Sequence, residues 1–196
     1  MKHLVIVIYD SSTNSMLKED VIHQLVLRLE KETQLHATIV SYDYRTKNPT
    51  SLLQKYTHAR LTVHSVSQAP FMGTISLWYA AWQLTKILSA LESYELIAWD
   101  PLAGWICLSS YNPSLCTKIT IYAHEPGVAQ SERERSASCN SSDLWHQFQA
   151  RCMTTIERDV YRNPAPLIVV PSETLRKHLH EKYGTRLERI RVEQSN

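Results

Sequence analysis

Two stretches of the chain carry residue types suited to chemistry on a polar ligand. Asp10 to Glu19 (DSSTNSMLKE) follows an apolar run and precedes a helical pattern. The hydroxyls of Ser11, Ser12, Thr13 and Ser15, the Asn14 amide and the positive end of the following helix can hydrogen-bond phosphate or sugar. The same segment also reads as a plain capped loop. The second stretch is His124-Glu125-Pro126, placed directly after the apolar run KITIYA, Lys118 to Ala123. An imidazole directly after a buried strand either faces a ligand at the strand-end edge or is a loop histidine with no role, and the neighbouring Glu125 either anchors a ligand hydroxyl or is solvated. Asp100, ahead of Pro101-Leu102, and Ser172, after Pro171, end two further apolar runs. Each reads either as a cap of the element that follows or as a ligand contact.

Stronger signatures are missing. There is no GxGxxG after the first strand pattern, no GxxxxGK[ST], no GxSxG and no HExxH, which removes support for dinucleotide oxidoreductases, P-loop ATPases and α/β-hydrolases. With only four glycines, side chains must do whatever phosphate binding a backbone cradle would otherwise do. Cys107, Cys116, Cys139 and Cys152 include no CxxC pair, so neither zinc nor a disulfide framework is expected, and reduced, mostly buried thiols are. His178 and His180 fall on different faces of a helix. No metal site and no cofactor are predicted.

The elements that must position these residues alternate. His3 to Tyr9 (HLVIVIY) is a continuous β-branched run, as a strand buried on both faces reads, and it ends at Asp10. Leu17, Val21, Leu25 and Leu29 recur every four residues, widened by Ile22 and Val26, and predict an amphipathic helix. His36 to Tyr42 is the second strand, ending at Asp43, and Leu61 to Val66 a weaker third. Thr74 to Leu91 is apolar on nearly every side (Trp78, Tyr79, Trp82, Leu84, Ile87), which predicts a helix packed between layers or against a partner. Tyr94 to Trp99 and Lys118 to Ala123 are strands, separated by a short helix or turn around Ala103 to Ser109. Residues 124 to 144 show no period and predict a long loop. Helical spacing returns at Trp145, Phe148, Cys152, Ile156 and Val160 and must stop before Asn163-Pro164. Leu167 to Val170 is a short strand, after which Ser172 N-caps a helix with Leu175, Leu179 and Tyr183 inside and Gly184 at its end.

This alternation predicts one α/β domain over residues 1–196, a doubly wound, mainly parallel Rossmann-like sheet of five to seven strands with helices on both faces. Ligands of such sheets bind beyond the carboxyl ends of the strands, so Asp10, Asp43, Asp100, His124 and Pro171 should share one edge. Hydrophobic residues make up 43% and charged residues 20% of the chain, an ordinary globular composition. A net charge of +2 without runs of like charge argues against nucleic acid as a partner. The first apolar stretch, Leu4 to Tyr9, is too short for a secretory signal. Ile75 to Leu91, interrupted by Gln83 and Lys86, falls short of the roughly 20 residues that span a bilayer and reads as a buried or membrane-surface helix. The expected location is the cytoplasm, with peripheral contact at the inner face of the membrane.

Glu157-Arg158, then LIVVPSETLRKHLHEKYG from Leu167 to Gly184, with KITIYAHEP and YELIAWDPLAG upstream, resembles the first domain of the retaining, nucleotide-sugar-dependent GT-B glycosyltransferases. The likeness spans about residues 94 to 192, and the N-terminal hundred residues match in layout. The glycine-rich turn that this family places near the donor diphosphate is replaced here by the hydroxyl-rich Asp10–Glu19 segment. The resemblance implies the acceptor-side half of an enzyme transferring a hexose from a nucleotide sugar to a glycan, lipid or small-molecule acceptor. It places His124 in the cleft near the transferred sugar as the catalytic residue, with Asn14, Ser15, Asp100, Glu125 and Ser172 as substrate contacts. It implies no metal, and it assigns the donor to a second domain or partner subunit that these 196 residues do not include. The competing expectation is a non-catalytic Rossmann-like binding or scaffold protein derived from such an enzyme.

Overall fold

A computed structural model describes residues 2–10, 23, 25–43, 59–67, 73–123 and 144–193. Seven strands form one sheet: β1 (Lys2–Asp10), β2 (Leu35–Asp43), β3 (Leu61–Ser67), β4 (Tyr94–Ala98), β5 (Cys116–Tyr122), β6 (Leu167–Val170) and β7 (Ile190–Val192). Their order is β3-β2-β1-β4-β5-β6-β7, and every pairing is parallel. The doubly wound, Rossmann-like architecture is therefore the one that the β/α alternation predicts. Described helices are α1 (residues 25–31), α2 (Gly73–Leu88), α3 (Pro101–Ser110), α4 (Leu144–Arg162) and α5 (Glu173–Tyr183).

β1 shows why the sheet assembles around it. Leu4, Val5, Ile6, Val7 and Ile8 are all buried, and their alternation sends Val5 and Val7 to one face and Leu4, Ile6 and Ile8 to the other. The second face is closed by Leu25 and Leu29 of α1. The first takes the inner sides of α2, α3, α4 and α5. Right-handed crossovers explain the division, because strands added on one side of β1 place their helices on one face and strands added on the other side place them on the opposite face. Arg60, just ahead of β3, donates from its guanidinium to the carbonyls of Leu29, Glu32 and Leu35. It supplies the cation that the C-terminal end of α1 favours.

Local signals set the helix ends. α3 begins with Pro101 at its first position, where a missing N–H costs nothing, under the Asp100 cap. It runs as a full ten-residue helix, where the sequence suggested only a short helix or turn around Ala103 to Ser109. α4 stops at Arg162, before Asn163-Pro164, and α5 ends at Gly184 with φ 70°, a left-handed cap that glycine adopts without strain.

Of the readings open for α2, packed between layers or set against a partner, the structure shows one covered face: the helix buries Leu77, Ala80, Ala81, Leu84 and Leu88 and leaves Trp78, Tyr79 and Trp82 exposed. Helix α4 begins at Leu144, one residue before the Trp145 at which helical spacing returns, and β7, a three-residue edge strand with an exposed Arg191, has no apolar run of its own but lies within the residues that the family resemblance spans.

Candidate functional site

The strand order reverses between β1 and β4, and in doubly wound sheets ligands bind in the crevice beyond the carboxyl ends of the strands at that point. Parallel register brings Asp10, Asp43, Asp100 and Pro171 to this edge. Asp10 is the partner of Asp43, the pairing of β1 with β4 continues as the Trp99 N–H donates to the Val7 carbonyl over 3.1 Å, and Pro171 follows β6. His124 and Glu125 come directly after Ala123, whose N–H donates to the Val169 carbonyl over 2.8 Å. His124, Glu125, Asn14 and Ser15 themselves lie outside the described residues.

Asp100 sits on the switch point. One carboxylate oxygen, Oδ1, accepts from the Ala103 N–H at 2.8 Å and caps α3, while Oδ2 accepts from the Tyr9 N–H at 3.3 Å. One side chain thus ties the end of the central strand to the helix that leaves the neighbouring strand. Ser172 does similar work at α5, its Oγ accepting from the Leu175 N–H at 3.2 Å. Of the two readings open for each residue, the capping bonds are visible in both.

Aromatic side chains flank the switch point, and reading single residues for ligand chemistry passed over them. Trp99 and Tyr122, at the ends of β4 and β5, hold their rings 4.9 Å apart at 30°. They lie on the α1 face of the sheet, since Trp99 packs against the cluster of Leu4, Ile6 and Ile8, and Tyr122 alternates with Ile121 of the opposite cluster. Burial raises the Tyr122 phenol, with Glu193 adding to it and Arg191 opposing it, so its hydroxyl remains a donor. On the α2–α5 face, Tyr9 and Tyr42 hold their rings 6.4 Å apart, and the buried Tyr42 hydroxyl donates to the Ala80 carbonyl at 2.8 Å. The signal in the sequence was an aromatic residue at or next to the end of four apolar runs: Tyr9, Tyr42, Trp99 and Tyr122.

Among the described residues, no cluster of three or more His, Cys, Asp or Glu is arranged to hold a metal ion. Cys107 is buried and Cys116 and Cys152 are half-buried, all as free thiols. Burial, with Cys116 and Asp100 adding to it, raises the Cys107 thiol well above its ordinary range, which leaves it protonated and without nucleophilic character. No described helix is long and apolar enough to cross a membrane.

The fold is shared with several solved proteins. It superposes on lipopolysaccharide outer core galactosyltransferase WaaB in its apo form, over 98% of this chain and 45% of that one, with TM-score 0.59 and 12% identity. UDP-GlcNAc 2-epimerase from Methanocaldococcus jannaschii matches over 98% of this chain and 45% of its own, with TM-score 0.54 and 11% identity. A ugt transferase from Siraitia grosvenorii, solved in complex with UDP, matches over 92% and 47%, with TM-score 0.51 and 10% identity. At these identities the likeness is one of fold, that of a Rossmann-like GT-B half, and the chain spans about half the length of the solved chains it matches. No protein-family model and no curated protein sequence matches the chain.

Proposed function

We propose that this chain is the acceptor-side domain of a nucleotide-sugar-dependent glycosyltransferase that transfers a hexose to a glycan, lipid or small-molecule acceptor in the cytoplasm. The observation that carries the reading is the β3-β2-β1-β4-β5-β6-β7 sheet, whose switch point is flanked by aromatic rings, in a fold shared with about half of a galactosyltransferase chain. A sugar presents apolar ring faces edged with hydroxyls. Trp99 and Tyr122, half-buried at the ends of β4 and β5, are of the residue types that complement it, pairing an apolar ring with an indole N–H or a phenol O–H.

In this reading residues 1–196 are one domain, and the donor nucleotide belongs to a second domain or subunit. His124 lies beside the reacting sugar and stabilises the charge that develops there. Asn14, Ser15 and Glu125 hold hydroxyls or phosphate. Asp100 and Ser172 act on substrate mainly by holding the helix ends in place. No metal is required, because side-chain donors and helix N-termini supply the positive potential. Orientation of two substrates is worth up to roughly 7–11 kcal/mol of a barrier, and half a site cannot hold both.

The test uses the purified chain, a panel of nucleotide sugars and free glycans, and nuclear magnetic resonance of the tryptophan indole N–H groups. The expected result is weak carbohydrate binding that perturbs the Trp99 signal, without sustained nucleotide release. Turnover of a nucleotide sugar by the chain alone would refute the half-site reading. A panel of glycans that leaves the Trp99 signal untouched would remove the acceptor role.

A further inference from the structure

Helix α2 divides its residues by face. Leu77, Ala80, Ala81, Leu84 and Leu88 are buried against the sheet and α3. On the opposite face Trp78, Trp82 and Lys86 recur every four residues, one above another along the helix surface. Trp78 is 64% exposed, Trp82 51% and the flanking Tyr79 38%, a degree of exposure that large aromatic side chains of a folded domain seldom show. The rings are ordered among themselves. Trp78 meets Trp105 of α3 edge-on at 5.2 Å, Tyr79 meets Trp82 at 5.7 Å, and the Lys86 ammonium lies over the Trp82 ring, 3.4 Å from its centroid. Gln83 donates to the Tyr79 hydroxyl at 2.7 Å.

Charge is the second observation. From Gly73 to Leu91 and from Pro101 to Thr117 the chain carries a single charged side chain, Lys86, although charged residues make up 20% of the whole. The surface built by α2 and α3 therefore presents aromatic rings with N–H and O–H groups, one cation and no anion.

We propose that this face is a docking surface for a lipid bilayer, with Trp78, Tyr79 and Trp82 seated at the headgroup level and Lys86 beside the lipid phosphates. Tryptophan and tyrosine partition to that level because their rings are apolar and their N–H and O–H groups stay wet, and a lysine on the same stripe complements the phosphate charge without an opposing carboxylate. Area argues against a second copy of the chain as the occupant. At the 150–250 Å² such side chains carry, the three together expose on the order of 350 Å², against about 800 Å² per partner in a stable protein interface. A bilayer takes up a few inserted rings without needing a matching flat surface. Trp78 is about one and a half turns from the start of α2, and Trp105 lies in the first half of α3. Both helices start at the strand-end edge, and the stripe runs from Trp78 to Lys86, near the other end of α2. Lipid docking of this face does not depend on sugar transfer.

The experiment mixes the chain with vesicles of phosphatidylethanolamine and phosphatidylglycerol and measures co-sedimentation and tryptophan quenching by brominated lipid. The parent should sediment and be quenched. A Trp78→Ser/Trp82→Ser variant with an unchanged denaturation midpoint should partition roughly tenfold less or weaker still. Lys86→Glu, which leaves the buried face alone, should also release the chain. The proposal falls if the parent stays in the supernatant or if both variants sediment like the parent. It falls equally if sedimentation velocity shows a dimer that the tryptophan variant dissolves, since the face would then join two copies.

Discussion

Asp100 is the residue on which the geometry of the switch point depends, and its loss can be worked from two bonds. Asp100→Ala removes the acceptor for the Ala103 N–H at 2.8 Å and the acceptor for the Tyr9 N–H at 3.3 Å. Loss of an N-cap costs typically about 1 kcal/mol, and a half-buried backbone N–H left without its partner adds about 1 kcal/mol more. The expected destabilisation is about 2 kcal/mol, which for a chain of this length lowers the melting temperature by roughly 4–8 °C. Asp100→Asn separates the two bonds. Asparagine caps helices as well as aspartate, but its NH₂ in the place of Oδ2 would set a donor against the Tyr9 N–H, so about half the loss should remain. Urea unfolding midpoints at unchanged slope provide the assay. If the alanine variant unfolds with the parent, or if asparagine costs as much as alanine, the capping argument is wrong. Carbohydrate binding lost in the asparagine variant beyond its loss of stability would instead expose a direct ligand contact.

Four further outcomes follow from particular contacts. A Cβ added at Gly104 meets Ile121 Cδ1 at 2.9 Å, Ile121 Cγ2 at 3.2 Å and Val160 Cγ1 at 3.3 Å. Overpacking of about 1–3 kcal/mol, less the roughly 0.5–1 kcal/mol that alanine gains in a helix, should leave Gly104→Ala destabilised by about 1 kcal/mol, with Ile121→Val relieving part of it in a double-mutant cycle. Tyr183 donates to the buried Glu157 carboxylate at 2.9 Å, whereas the buried Tyr161 hydroxyl has no hydrogen-bond partner among the described residues. Tyr183→Phe should therefore lower the unfolding free energy by about 1–3 kcal/mol, and Tyr161→Phe should leave it unchanged or raise it. Burial and then the charge of His36 lower the His3 pKa from its ordinary value of 6.5. The folded state then binds this proton less readily than the unfolded chain, so His3 contributes stability that is full above pH 6.5 and is lost as pH falls toward the lowered folded value. Midpoints of the parent minus those of His3→Gln should show that slope, and parallel curves would contradict it. With the donor-binding partner supplied, His124→Ala should reduce transfer by about ten- to a thousandfold, and unchanged activity would retire the role given to it.

Much of the fold was legible because local pattern and global packing agree. The β-branched run of β1 needs burial on both faces, the four-residue spacing of the helices needs a single apolar stripe, and Ser172, Asn163-Pro164 and Gly184 act through bonds and torsions within a few residues of themselves. The GT-B likeness, drawn from strand-end motifs between residues 94 and 192, agrees with the fold that the tertiary structure adopts. Of the candidate site, the sequence offered two functions each for Asp100 and Ser172, cap or ligand contact, and the structure exhibits their capping bonds.

What the sequence determined by itself is what depends on near neighbours: strands, helices, caps and the alternation that makes the sheet parallel. Only tertiary structure decided which side chains meet across elements. Trp99 and Tyr122 are 23 positions apart and become a ring pair because β4 and β5 lie side by side in register. The Tyr9–Asp100 bond exists because a crossover sets β4 against β1. Helix α2 was apolar on almost every side in sequence, and a hydrophobicity pattern does not say which of two apolar faces a sheet will cover. The sheet took the leucines and alanines, whose small or compact side chains allow close packing on β-strands, and left the tryptophans outward.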